Sequence, residues 1–445
     1  MTFIDTAWAS LGEDPAALGL VRARPVPLES SLPVGDLVHD AIAVASLSAA
    51  LLFARRTESG VPAVELDPIR VATAVTSERH YRLDGEPMNA WAELSGFWPT
   101  ADGWVRTHAN YPQHRAALLA ALGLHESTTA DELRSHLSGR RGQEVEDLVA
   151  HHGGVAIRVR TEDEWRGHPQ AAAVSGSAFV GVERIGDAPA RRLTSTGTDA
   201  PAAGIRVLDL TRVIAGPVAT RTLALWGADV LRVDGPEHPE IEAQHLDTGA
   251  GKRSTILDLE ADRERFEGLL ATADVVVTGY RPGALDRFGL DPSEIAERHP
   301  GLVIARLSAW GTTGPFAERR GFDSIVQAAS GIGLLESADG QRPGAMPAQV
   351  LDHSAGYLVA AAITTALRRQ LDEGGTWLVE TSLARIAQEL LDAPRRERTP
   401  APEWEPTVVT IDGLTTAQPA PHYDGGRGKW TTRAVPWGSS EPRWK

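Results

Sequence analysis

Cysteine is absent from all 445 residues, which excludes disulfides, thiolate nucleophiles and thiolate zinc sites together. Any covalent catalysis must therefore run on oxygen or nitrogen. No pair of histidines has metal-ligand spacing with carboxylates, so no metal is expected. Basic charge is in deficit. With 44 Lys and Arg against 59 Asp and Glu, the net charge of −15 repels a phosphate backbone and argues against a nucleic-acid partner. The opening segment, MTFIDTAWASLGEDPAALG, lacks a basic stretch followed by an apolar run. Nowhere do about 18 uncharged apolar residues follow one another. The expectation is a soluble, cytoplasmic protein without a membrane partner.

What is present suffices for a sizeable core: 42% of residues are hydrophobic, and at roughly 150 residues per domain the length suggests two or three domains. Residues 186–203 are rich in Gly, Pro, Ala, Ser and Thr without periodicity, and read as a linker. After it, IRVLDL (205–210), a break at AGP, the helix-like VATRTLALWGA and DVLRVD (229–234) form a βαβ opening. STILDLE (254–260), ADVVVTG (273–279) and LVIARLS (302–308) supply further buried strands. Residues 204–390 are thus expected to form an open, mostly parallel, Rossmann-like α/β sheet domain. Residues 1–185 read as a smaller mixed α+β domain, with a hairpin at YRLDGE, aromatic loops, helices around 113–150 and a strand GVAIRV. Residues 391–445 turn to Pro, Arg, Trp and Gly without a period, as in a tail packed along the surface or partly disordered. Residues 41–72 echo 355–387: an alanine-rich helix, a basic end, a glycine turn and a strand beginning Val-Glu, from an internal repeat or from shared composition.

The first βα turn invites comparison with a dinucleotide fingerprint, because Asp234 ends the second strand. Gly216 lacks the second and third glycines that a pyrophosphate needs. A plain strand-to-helix turn with Pro217 near its start accounts for the segment equally. Asp352, ahead of an alanine-rich helix, reads by spacing alone as an N-cap.

Taken in order, GIRVLDLTRVIAGPVATRTLALWGADVLRVD, GKRSTILDLE, ADVVVTGYRPGALDRFGLD, HPGLVIARLSAWGTTGPFAERRGFDSIVQAASG and LDHSAGYLVAAAITTALRRQ resemble the class III CoA-transferases, the CaiB/BaiF type. The resemblance implies transfer of CoA from an acyl-CoA to a carboxylic acid, with acyl-CoA as substrate and Asp352 as the catalytic carboxylate. It also implies CoA contacts at Ile214, Ala215, Leu257, Asp258, Tyr280, Arg281, Arg287, Arg320 and Phe322, the arginines offering planar forks to phosphates. Backbone N–H groups at the start of the helix after Asp352 are the expected oxyanion donors. His353, beside Asp352, reads as a bystander, and His108 and His114 as pocket or structural histidines. An asparagine frequent in the third motif is Gly279 here, and a basic residue after the second strand is Gly235.

Family members begin at the GIRVLDL strand and place the smaller domain after the catalytic helix; here the later half comes first. The chain is read as a rearranged or partly duplicated version, and the resemblance implies a homodimer. Racemisation of 2-methylacyl-CoA is the competing activity. It needs a histidine where this chain has Phe322, in Gly321-Phe322-Asp323. Outside the family, the chain also admits a dinucleotide-dependent oxidoreductase or a non-catalytic CoA-binding protein.

Overall fold

The computed structural model describes residues 2–87, 91–191 and 200–445; part of the expected linker, residues 192–199, lies outside them. Two 24-residue helices dominate the core. Helix α1, Val34–Thr57, carries Asp36 in its first turn and Arg55 and Arg56 in its last, as the helix dipole favours, and stops where Glu58 turns left-handed at φ 52°. Both α1 and its counterpart at 350–373 are long and apolar enough to cross a membrane. However, 83% and 100% of their most apolar windows are buried inside the fold, where the two helices pack together.

After α1, strands β1 (Gly96–Thr100), β2 (Gly103–Thr107) and β3 (Ala156–Arg158) pair antiparallel. Helix α2, Pro112–Leu122, lies between β2 and β3 in sequence, with proline at its start and Gly123 at φ 67° ending it. A separate core joins them through Trp98, Val105, Leu118 and Leu133.

The chain then enters a seven-stranded sheet. Its members are β4 (Gly181–Gly186), β5 (Arg206–Leu210), β6 (Asp229–Asp234), β7 (Arg253–Ile256), β8 (Val275–Thr278), β9 (Val303–Ser308) and β10 (Thr376–Ser382). The spatial order is β7-β6-β5-β8-β9-β10-β4, every pair parallel except β10 with β4. Buried Val, Leu and Ile fill the central strands, as in a sheet covered on both faces. The expected boundary at 185 falls inside β4, so the first half of the chain contributes an edge strand to this sheet.

Helix α3, Ala215–Leu225, follows β5; α4, Asp323–Ala329, and α5, Val350–Glu373, follow β9; α6, Leu383–Asp392, follows β10. The expected strand at 254–260 stops at Ile256. Asp258 instead accepts the N–H groups of Glu260 and Ala261 at 2.9 and 3.2 Å, an Asx-type turn that competes with the strand. The tail is ordered more than its composition suggests. Val408–Ile411 and Leu414–Ala417 form a hairpin through Asp412 and Gly413, both left-handed, and Arg82–Leu83 extends it.

Candidate active site

In the main sheet the strand order reverses at β5, and ligands of open α/β sheets collect at such a point, beyond the carboxyl ends of the strands. The turn leaving β5 is held from below by Asp209. Its buried carboxylate accepts Thr211 N–H at 3.0 Å, Thr220 Oγ1–H at 2.6 Å and Lys252 Nζ–H at 3.0 Å. Burial pulls the Lys252 ammonium down to about 8. Farther along the turn, Val213 sits at φ 69°, a strained conformation for a β-branched residue. Its N–H donates to Glu240 Oε2 at 2.9 Å. Glu240 also takes Arg232 at 3.1 Å and the Tyr111 hydroxyl at 2.5 Å. Burial pushes the Glu240 carboxyl up, but the charges of Arg232 and Arg212 outweigh it and bring it to about 2.

Asp352 is the third residue of α5, not its cap. The N-cap Gln349 makes no side-chain capping bond. The cap comes from another helix: Asp323, first residue of α4, accepts the N–H groups of Leu351 and Asp352 at 2.8 and 3.0 Å through one oxygen. Gln327 donates to the other oxygen of Asp323 and accepts Met346 N–H at 2.9 Å. The expected oxyanion donors at the start of α5 are therefore already occupied, His353 N–H by Gln349 at 3.1 Å as well. The first N–H groups of α3, on Ala215 and Gly216, have no acceptor among the described residues.

Asp352 is 6% exposed, and among the described residues nothing donates to its carboxylate. Burial, then the neighbouring charge of Asp323, push its carboxyl well above the usual range. Burial pushes Asp323 up to about 6. One turn beyond Asp352, Gly356 lets α5 approach α3, since a Cβ there would collide with the Ala215 carbonyl and Val218.

Asp352 lines a cavity of about 300 Å³ whose wall carries Arg212, Arg281, Arg319 and Arg320. Arg319 is spent on Glu146 at 2.8 Å, and Arg212 stacks on Tyr111 and approaches Glu240 at 3.6 Å. Burial and the charge of Arg281 lower the Arg320 guanidinium. Arg320 donates to the Gly153 carbonyl at 3.1 Å, and with the exposed Arg281 it gives this wall two cations that can face an anion. His114 lines the same cavity, drawn down to about 4 by burial and then by the charges of Arg320, Arg212 and His238.

Of the residues expected from sequence, Ala215, Tyr280, Arg281, Arg320 and Phe322 line this cavity with Asp352. Ile214, the N-cap of α3, lines a smaller adjoining chamber that also contains Asp352. Leu257 is buried in the sheet's core, and Asp258 and Arg287 are exposed outside the cavity wall. His353 lines neither space and is buried, drawn down to about 3 by burial and the charge of Arg221. Asp323, Arg212, Val213 and Glu240 join the site without having been expected there. The one signal along the chain is an acid opening the helical stretch DSIVQAA. His108 stacks flat on Phe322, ring centres 3.7 Å apart and 5° between planes, which joins the first half of the chain to the site.

The sequence model of CoA-transferase family III matches residues 12–194 and 202–403. An acetyl-coenzyme A transferase of Hypoxylon pulicicidum is 37% identical over 191 residues, 41% of this chain and 32% of that protein. The succinyl-CoA–L-malate CoA-transferase alpha subunit of Chloroflexus aurantiacus is 29% identical over 323 residues, 67% of each chain. Among solved structures, a CaiB/BaiF family protein from Brucella suis shares 30% identity over 44% of this chain and 56% of that one, with a TM-score of 0.41. The matched region spans about a third to two thirds of the length of these curated relatives.

Proposed function

The chain belongs to CoA-transferase family III, and from that premise we propose that it moves CoA from an acyl thioester to a carboxylic acid, with Asp352 as the nucleophile. The observation that carries the proposal is Asp352 itself. It is a buried carboxyl with no donor among the described residues, on the wall of a cavity whose opposite charge comes from Arg281 and Arg320. A carboxylate stripped of water and set beside a thioester is a usable nucleophile.

Asp352 attacks the thioester carbonyl; the C–S bond breaks, leaving a mixed anhydride and a thiolate. The thiolate attacks the aspartyl carbonyl and expels the donor acid as its carboxylate, so that Asp352 holds a thioester. The acceptor carboxylate attacks that same carbonyl, releasing the thiolate, which takes the acceptor's acyl group and frees Asp352. Every nucleophile and leaving group is an anion, so no step needs a general acid. This agrees with the neutral histidines of the site, His108 brought to about 3 and His114 to about 4, in each case first by burial. Oxyanion stabilisation falls to the N–H groups of Ala215 and Gly216 at the positive end of α3. Arg281 and Arg320 hold phosphates, and the nucleotide end runs out of the cavity toward the exposed Asp258 and Arg287, with Leu257 behind them in the sheet's core. Racemisation is the weaker reading, because Phe322 carries no proton and the ring against it, His108, is a poor base.

The reading includes a rearranged chain order, in which residues 1–185 supply the smaller domain and residues 204–390 the CoA-binding one, and a homodimer. Two separate stretches matching one family model support the rearrangement, as does β4 from the first half completing the sheet of the second. The test is to incubate the protein with a panel of acyl-CoA esters and free acids, then weigh it. A CoA-bearing adduct on the Asp352 peptide is expected, and exchange without any such adduct contradicts the proposal.

A further inference from the structure

Two spaces of opposite electrical character meet at Asp352. The cationic cavity and a second chamber of about 60 Å³ share Val213, Phe322 and Asp352 as wall. The second chamber carries four carboxyl groups, Glu78, Asp247, Asp323 and Asp352, and among the described residues no Lys or Arg lines it. Arg79, not itself on the wall, approaches Glu78 Oε1 at 4.0 Å. Arg106 stacks on Trp91 and Phe97 at 4.8 and 4.7 Å and acts on Asp323 through its charge, and Arg221 donates to the Asp247 backbone carbonyl at 2.7 Å and stacks on Trp430.

The chamber is also short of hydrogen bonds. Asp247, Ser324 and His108, each no more than 6% exposed, line it with Oδ1, Oγ and Nδ1 unpartnered, and Glu78 Oε2 and Gln244 Oε1 are unpartnered there too. Buried polar atoms left bare cost free energy, and five in one small space mark a site built to be filled. Gln244 Oε1 is an acceptor, Ser324 Oγ can accept, and Asp247 Oδ1 and Glu78 Oε2 accept when ionised, so a donor is the partner that can serve most of them. Val213, Ile214, Phe322 and Trp91 give part of the wall an apolar face that suits a short carbon chain, beside the polar Ser77, Asn110, Thr248 and Gln349. At roughly 10–15 Å³ for each water-sized group, the volume admits about four to six such groups.

We propose that this chamber holds the tail of the transferred acid, and that it selects a short monocarboxylic acid bearing a hydrogen-bond donor, hydroxyl or ammonium, over one ending in a second carboxylate or in bare hydrocarbon. The inference rests on Asp352 being the nucleophile, which places the reacting carboxyl at the junction and the tail among Glu78, Asp247 and Ser324. A distal carboxylate would bring a further charge into a buried space where burial already pushes Glu78, Asp247, Asp323 and Asp352 up toward their neutral forms, with no cation on the wall to receive it. A bare alkyl tail leaves the polar atoms unpaired, and sites of that kind reject the analogue lacking the donor strongly.

The test uses the full chain with acetyl-CoA as donor and compares kcat/KM for four acids of matched length: 3-hydroxybutyrate, 4-aminobutyrate, butyrate and succinate. A hydroxyl or ammonium acid is expected to exceed both butyrate and succinate by at least tenfold, and whichever leads identifies the donor. The double variant Glu78→Gln, Asp247→Asn should narrow the gap against succinate at least tenfold while still forming the Asp352 adduct from acetyl-CoA. Butyrate or succinate leading in the parent protein overturns the chamber assignment and leaves the transferase reading intact. Absence of the Asp352 adduct with every acid overturns the transferase reading itself.

Discussion

Asp323 accepts the backbone N–H of Asp352 at 3.0 Å, and its charge adds to burial in raising the proton affinity of the Asp352 carboxyl. One side chain thus bears on both the position and the ionisation of the proposed nucleophile. Asp323 is a positioning residue, since it acts through Asp352.

Asp323→Asn keeps an oxygen for the two N–H groups while removing the charge, at the cost of turning over the Gln327 amide. With less repulsion Asp352 ionises at lower pH, so the acid limb of the kcat/KM profile should shift downward. Asp323→Ala, which also loses the cap, should cost about 1 kcal/mol or more of stability. A profile unmoved in Asp323→Asn removes the electrostatic role.

The raised carboxyls make stability depend on pH, and the sign is determined. An unfolded chain releases these protons near 3.8, whereas the fold retains them on Asp323 to about 6 and on Asp352 well above 3.8. The stabilisation from holding them is fully present below the unfolded value and is lost as pH rises through the folded ones. Asp352→Asn has no proton to lose, so its stability relative to the parent should grow between pH 4 and pH 7. Denaturant titrations at the two pH values check this; a gap that shrinks with rising pH contradicts it.

Gly356→Val places a branched side chain against the Ala215 carbonyl and Val218, and should force α5 away from α3. Overpacking of this kind typically costs about 1–3 kcal/mol. Activity should fall further than stability, because the nucleophile and the free N–H groups of Ala215 and Gly216 separate. Comparing melting with turnover checks the split; turnover lost only in proportion to melting contradicts it.

Arg281→Ala and Arg320→Ala should each raise KM for acyl-CoA about ten- to hundred-fold with kcat nearly unchanged, the range expected for losing a charge-assisted hydrogen bond of about 1.5–3 kcal/mol. Steady-state kinetics at varied acyl-CoA decide it. A fall in kcat at constant KM would move these arginines from binding to chemistry.

Much of the sheet was legible because its strands are continuous β-branched and Leu runs between glycine or helical breaks; Val275–Thr278 and Val303–Ser308 lie inside the segments expected for them. The motif series singled out Asp352, the proposed nucleophile, whereas its spacing alone pointed to a cap. The true cap could not be read, because Asp323 lies 29 residues away and acts through a tertiary contact. Local turn chemistry at Asp258 overrode strand propensity in STILDLE. The acidic chamber is assembled from residues near 78, 108, 247, 324 and 352, and no pattern along the chain announces such a convergence.

The most direct test of the central claim is single-turnover exposure of the parent protein and Asp352→Asn to acyl-CoA, followed by mass analysis of their peptides. Asparagine preserves the shape of the side chain and removes the nucleophile. The account predicts a CoA thioester on the Asp352 peptide of the parent, none in the variant, and loss of acyl exchange with CoA binding and melting retained. Undiminished exchange in Asp352→Asn, or an adduct on any other residue, would contradict it.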